Sequence, residues 1–351
     1  MHDIRIPQNR VMLKTGKYFR LLTVIVCLVV AGCAGSRAVR PEKRNEYFSN
    51  PVLPPLTCDP WITFHNGFYY YCYSTGRMIY LRKTADFTRL SNAEPELVWM
   101  APESGPNSQN VWAPELHFID GSWYIYYCAD DGRNENHRIF ILQSETKTPL
   151  GPYSEKGMLD TDGWAIDGTV YQDNDSQKYF LWSGWTDENR KTQGIFIAPM
   201  KTPAELAGPG VCISYPEKIW EKAGHPICEA PQVMKGKSAW YVIYSAGGSW
   251  TPHYCLGMLV NESGNLTDPR SWTKSGPVFE SIRGLWGVGH CCFTTSPDGT
   301  EDWIIYHAKT GKEEGWGDRC VCAQQFLREE SGRPVFGKPV PLEIKIIKPS
   351  D

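Results

Sequence analysis

From Pro51 onward the chain repeats one phrase: a run that opens on a polar residue, a turn, and then an aromatic run in which almost every position is apolar. The first copy is Asp59-Pro60-Trp61-Ile62-Thr63-Phe64, the turn Asn66-Gly67, then Phe68-Tyr69-Tyr70-Tyr71, with a third run over Met78 to Arg82. The second passes from Val111-Trp112-Ala113-Pro114-Glu115 through Asp120-Gly121 to Trp123-Tyr124-Ile125-Tyr126-Tyr127. The third opens Ile166-Asp167-Gly168-Thr169 and continues Tyr179-Phe180-Leu181-Trp182. The fourth opens Glu229-Ala230-Pro231-Gln232 and continues Trp240-Tyr241-Val242-Ile243-Tyr244. The fifth opens Gly287-Val288-Gly289-His290 and continues Trp303-Ile304-Ile305-Tyr306. Asn-Gly and Asp-Gly turn a hairpin because they tolerate positive φ.

With Asp59, Ala113, Asp167, Glu229 and His290 as markers, the intervals are 54, 54, 62 and 61 residues. Each interval holds one four-stranded antiparallel sheet and its loops. Such a sheet is apolar on both faces and cannot stand alone, so five of them are expected to pack radially as an all-β, five-bladed β-propeller. Two β-sandwiches would also need many strands but leave the regular spacing unexplained. Segments such as Thr186 to Ala223 are read as blade loops whose paths the residues do not give.

The N-terminus follows a different pattern. Lys14, Lys17 and Arg20 precede an apolar run, Leu21 to Val30, and then Val30-Ala31-Gly32-Cys33. A basic region, a short apolar core and small residues at a cut describe a secretory signal, and the run is too short to span about 30 Å of hydrocarbon. Residues before Met12 add nothing to this signal, so Met12 is expected as the start. Val-Ala-Gly-Cys resembles the bacterial lipobox, which implies cleavage before Cys33 and acylation of its thiol. Residues 1–33 are therefore expected to be a lipoprotein signal, 34–50 a flexible tether and 51–351 the propeller. The protein would then face the periplasm or the cell surface on an N-terminal lipid anchor.

Composition narrows the function. A net charge of −3 and a pI near 6.3 set no basic face aside, so no nucleic acid is expected as a partner. Aromatics make up 13% of the chain, including 14 Trp, which suits strand packing and sugar-stacking surfaces alike. Ten of the 12 Cys lie past Cys33 without zinc-ligand spacing. Most are expected as buried small hydrophobes, with one or two disulfides left open for an extracytoplasmic protein.

In a propeller the innermost strands ring a central channel, so the five repeat starts converge at one mouth. Three of the five are acids, although strands are depleted in Asp and Glu. Paired carboxylates in an aromatic-lined cavity suit glycosidic bond cleavage. The order Asp59-Pro60, Trp112-Ala113-Pro114-Glu115, Ile166-Asp167-Gly168, Glu229-Ala230-Pro231 and Gly287-Val288-Gly289-His290 resembles glycoside hydrolase family 43. That resemblance implies an inverting glycosidase acting on arabinose- or xylose-containing glycans, with Asp59 as general base, Glu229 as general acid and Asp167 tuning the acid. The preferred activity is an exo-acting α-L-arabinofuranosidase on arabinan or arabinoxylan. A β-xylosidase is the nearest alternative, and a non-catalytic glycan-binding lipoprotein is one of another kind. Related retaining fructosidases carry Arg-Asp-Pro where this chain has Ile166-Asp167-Gly168.

The same resemblance implies substrate contacts from Trp112, His290 and Arg319. No cofactor is expected to be required, but the family's channel histidine holds a Ca²⁺ or a water at the propeller axis in some members, which makes His290 a candidate metal ligand. Here Val288 and Cys291 replace the Pro and Asn that usually flank that histidine. Glu115 is read as structural.

Overall fold

The computed structural model describes residues 46–173, 177–189 and 192–351. The signal, Cys33 and the tether as far as residue 45 lie outside the described residues. Five antiparallel sheets follow one another in chain order. Blade 1 runs Trp61–His65, Phe68–Ser74, Met78–Thr84, Pro95–Met100, and blade 2 runs Gln109–Ile119, Ser122–Asp130, Arg138–Ser144, Tyr153–Leu159. Blade 3 runs Ala165–Gln172, Lys178–Trp185, Gln193–Thr202, with Glu205–Leu206 and Val211–Ser214 sharing its outer edge. The segment expected as loop from Thr186 to Ala223 thus supplies that blade's outer half. Blade 4 runs Cys228–Lys235, Trp240–Ala246, Cys255–Asn261, Thr273–Phe279, and blade 5 runs Trp286–Thr295, Asp302–Lys309, Arg319–Arg328, Pro334–Val335. The helices among the described residues are short 3₁₀ turns. The first strands of neighbouring blades touch all the way round, blade 5 against blade 1 included, which closes the propeller.

The hairpins form where the turn residues demand them. Asn66 and Gly67 sit at φ 49° and 79° between the paired residues His65 and Phe68, and Asp120 and Gly121 at φ 49° and 78° between Ile119 and Ser122. Both positive angles are what a two-residue hairpin needs to match the strand twist.

The aromatic runs then divide by strand alternation. Tyr69 and Tyr71 enter the seam with blade 5, beside Trp303 and Ile305, while Tyr70 and Cys72 enter the seam with blade 2, beside Trp123 and Ile125. Five buried clusters fill the five seams in this way. Every blade therefore depends on both neighbours for burial. All ten described cysteines are free thiols, eight of them buried, so the bridges left open by the sequence do not form. Cys320 and Cys322 simply pack in the seam between blades 4 and 5.

The tether expected over 34–50 reaches too far. Tyr47–Phe48 pairs with Ile346–Ile347, and the buried Asn50 amide bonds both the N–H and the carbonyl of Ala323. A two-residue strand has no periodicity to read, which is why this join is invisible in the sequence.

Candidate active site

In or just before every innermost strand a residue at the repeat marker, or next to it, lies in the left-handed region: Asp59 (φ 48°), Ala113 (42°), Asp167 (53°), Ala230 (49°) and His290 (44°). In blades 2 to 5 the strand ladder slips its register around this residue. A bulge of this kind bends the strand and re-aims the side chains beside it, and a non-glycine residue held there marks a position where structure serves a site. The residue of blade 4 that repeats the conformation is Ala230. Glu229 therefore stands one position ahead of the other markers, and its carboxylate enters the site from a different register than Asp59 or Asp167.

The structure brings Asp59, Asp167, Glu229, Trp112, His290 and Arg319 together around one cavity of about 370 Å³, a volume suited to a small ligand. Asp59 is 23% exposed. Its Oδ1 lies 3.2 Å from His290 Nδ1, 3.2 Å from His307 Nδ1 and 3.3 Å from an Arg319 guanidinium nitrogen, while Oδ2 accepts from the Cys58 thiol at 3.2 Å. Burial works against ionisation of Asp59, but His290, Arg319 and the His307 hydrogen bond hold its carboxyl well below the usual range. Burial pushes both histidines down as well, His307 to about 4. Both are neutral at pH 7, so Arg319 is the lasting positive charge on Asp59.

Asp167 and Glu229 are pushed the other way. Burial raises Glu229 to about 7; the Tyr254 hydroxyl, donating to Oε1 at 2.7 Å, opposes the rise and the Asp59 charge adds to it. Burial raises Asp167 too, followed by the charges of Glu229, Asp59 and Glu115, and the Ala230 N–H, donating to Oδ2 at 3.2 Å, holds the rise back. Two buried carboxyls, one on Glu229 and the other accepting from the N–H of the next residue, Ala230, cannot both ionise readily. They titrate as a pair that keeps a proton near neutrality. Burial and the neighbouring carboxyl thus work against an ionised Asp167 as they do against an ionised Glu229.

Trp112 is 39% exposed at the cavity wall and stacks on His137 at 4.1 Å. Glu115 accepts from the Gln232 amide at 2.7 Å and pairs with His117 at 2.9 Å. Residues that sequence reasoning missed are His307, Tyr254, Cys58, Ser249 and Trp316. His307 is a polar end to the apolar run Trp303–Tyr306, a signal that was there to find. The other four sit in connections, where periodicity says nothing.

Asp59, His290 and His307 present ligand atoms within 4.8 Å of one another. One carboxylate and two imidazoles suit a borderline transition metal, whereas Ca²⁺ takes six to eight oxygens. Arg319 also occupies the same carboxylate oxygen. Taken alone, these three residues lack the oxygen donors that the Ca²⁺ left open beside His290 would need.

Comparison with known proteins agrees with this geometry. The profile of glycosyl hydrolases family 43 matches residues 48–334. The chain is 35% identical over 341 residues to α-L-arabinofuranosidase 43 of Humicola insolens, covering 92% of this chain and 69% of that protein. It is 33% identical over 324 residues to the extracellular exo-α-(1→5)-L-arabinofuranosidase of Streptomyces chartreusis, covering 89% and 95%. The crystal structure of an α-L-arabinofuranosidase from Lactobacillus brevis superposes with a TM-score of 0.79 at 32% identity, covering 85% of this chain and 98% of that one.

Proposed function

Since the chain belongs to glycosyl hydrolases family 43 and is a glycosidase, we propose that it removes terminal α-L-arabinofuranosyl residues from arabinan or arabinoxylan with inversion. The observation that carries this reading is the opposition of charge states in one cavity. Asp59 is held ionised while the Asp167–Glu229 pair holds a proton, and groups pushed apart in this way mark the base and the acid. The choice of arabinose rests on the relatives more than 30% identical, which carry that activity in their names.

In this mechanism Asp59 takes a proton from the water that attacks the anomeric carbon. Oδ1 already accepts from Arg319 and lies against His290 and His307, so Oδ2, facing only a weak thiol donor, is the oxygen that receives it. Glu229 protonates the departing oxygen on the other face. Tyr254 then remains hydrogen-bonded to the carboxylate that results, which steadies the new charge. Asp167 sets how firmly Glu229 keeps its proton before the step. The lipobox-like Val30–Cys33 supports a lipid anchor, on which the enzyme would face the periplasm or the cell surface, where glycan fragments arrive from outside.

Proton NMR of the first product, taken before mutarotation, tests the stereochemistry; the expected product is the anomer opposite to the substrate's. Release of the retained anomer would remove Asp59 from the role of base. A panel of nitrophenyl arabinofuranoside, xyloside and galactoside, beside linear arabinan, tests the sugar, and preferential release of xylose would replace this activity with a β-xylosidase.

A further inference from the structure

Trp316 lines the same cavity as the three carboxylates, yet it is 56% exposed. It sits in the loop between strands Asp302–Lys309 and Arg319–Arg328, which carries no regular structure of its own. An aromatic ring at the rim of this cavity offers a flat apolar face beside the carboxylates, and this ring is held firmly. Its indole N–H donates to Ser249 Oγ at 3.2 Å, the Trp250 ring meets it edge-on at 5.6 Å, and the Gly315 N–H donates to the Trp250 carbonyl at 2.8 Å. The base of the loop is clamped by Lys309, whose side chain is fully buried and whose ammonium pairs with Asp318 and donates to the Gly315 carbonyl. Asp318 in turn accepts from the Gly311 N–H at 2.8 Å. A buried ammonium is tolerated only when paired and hydrogen-bonded, so its pairing here ties both ends of the loop together.

The direction in which the ring faces follows from its neighbours. Ser249, which anchors Trp316, and Tyr254, which donates to Glu229, lie on one short connection of blade 4. The proton that Glu229 delivers goes to the leaving oxygen, so the departing group lies on this side of the cavity. Trp112 stands on another wall, in blade 2.

We propose that Trp316 is the platform on which the sugar at the leaving-group side of the scissile bond stacks, and that Lys309 is the positioning residue that holds it there. The proposal rests on the arabinofuranosidase reading. It assigns Trp316 the recognition of an extended glycan, since an aromatic face covers the C–H face of a sugar ring without requiring a particular hydroxyl pattern. Lys309 also acts at a distance. The Trp316 carbonyl accepts from Arg319 Nε at 3.4 Å, and the same guanidinium holds Asp59.

The test compares α-L-arabinofuranosyl fluoride, which has no leaving sugar, with linear arabino-oligosaccharides. Trp316→Ala should lower kcat/KM on the oligosaccharide about tenfold more than on the fluoride, through KM, and Trp316→Phe should recover most of that gap. Lys309→Met should open the same gap and lower kcat on both substrates through Arg319. Equal losses on both substrates, or no loss on either, would overturn the platform. If wild-type protein releases xylose rather than arabinose, the arabinofuranosidase reading falls instead, and the same comparison is made between xylosyl fluoride and xylo-oligosaccharides.

Discussion

The ring of Tyr254 stacks on that of His307, centroids 5.3 Å apart and planes 16° from parallel, and this contact joins the two halves of the chemistry. The hydroxyl of Tyr254 donates to Glu229, while the imidazole of His307 bonds Asp59. The proposed base and acid are thus each held by one member of a single stacked pair, and neither member lies on the strand starts that drew attention in the sequence.

Tyr254→Phe keeps that stack and removes only the hydrogen bond. Because the bond favours the ionised form of Glu229, its loss should raise the acid's pKa and move the basic limb of the kcat profile to higher pH. The plateau rate should fall as well, most for poor leaving groups, since the carboxylate left after proton transfer loses its donor. A pH–rate profile on a natural oligosaccharide checks both. A basic limb that moves down would contradict the assigned hydrogen bond.

The two principal acids should separate by leaving group. Glu229→Ala should cost about 10²–10⁴-fold on natural glycosides and much less on substrates with an acidic phenol, which departs with little protonation. Asp59→Ala should cost a similar factor on both classes, because every substrate needs an activated water. Steady-state kcat/KM on the two classes decides the matter. The opposite pattern would exchange the roles.

Stability should report the same carboxyls from another side. Glu229 has a folded-state pKa raised to about 7 from an ordinary 4.5, so the folded state holds a proton that the unfolded state has given up. Its contribution is most favourable below about pH 4.5 and is lost as the pH climbs through 7. Glu229→Gln, which stays neutral, should therefore melt roughly 2–4 °C above wild type at pH 8. The difference should shrink toward pH 4.5. A gap that widens on acidification would mean that Glu229 is stabilised as an anion.

The anchor is tested at Cys33. Labelled fatty acid should enter the wild-type protein and the membrane fraction should retain it, and Cys33→Ala should abolish both. Equal labelling of the two proteins would remove the lipid from the account.

The repeat was legible because hairpin turns such as Asn66-Gly67 and runs such as Phe68–Tyr71 obey local rules of φ and alternation that survive any packing. The convergence of Asp59, Asp167 and Glu229 was legible for the same reason, since a ring of blades brings their first strands to one mouth. The offset of Glu229 was not, because a bulge changes register without changing composition: Glu229-Ala230 and Ile166-Asp167 read alike until the backbone angles are seen. Tyr254 and Trp316 reach the cavity from connections whose paths depend on distant partners, Glu229 for the first and Ser249 for the second. The join at Tyr47–Phe48 is held by hydrogen bonds to residues some 300 positions away, and no local pattern records that.

The left-handed residue that recurs in each blade makes the mouth of the channel a ring of five equivalent sockets. Three of them present a polar side chain, Asp59, Asp167 and His290, and two, Ala113 and Ala230, present only a methyl group. Asn and Asp tolerate this backbone conformation better than most residues. New polar groups can therefore be grafted at Ala113 without re-forming the strand that carries it, and the chemistry of the mouth can be rewritten one socket at a time on an unchanged frame.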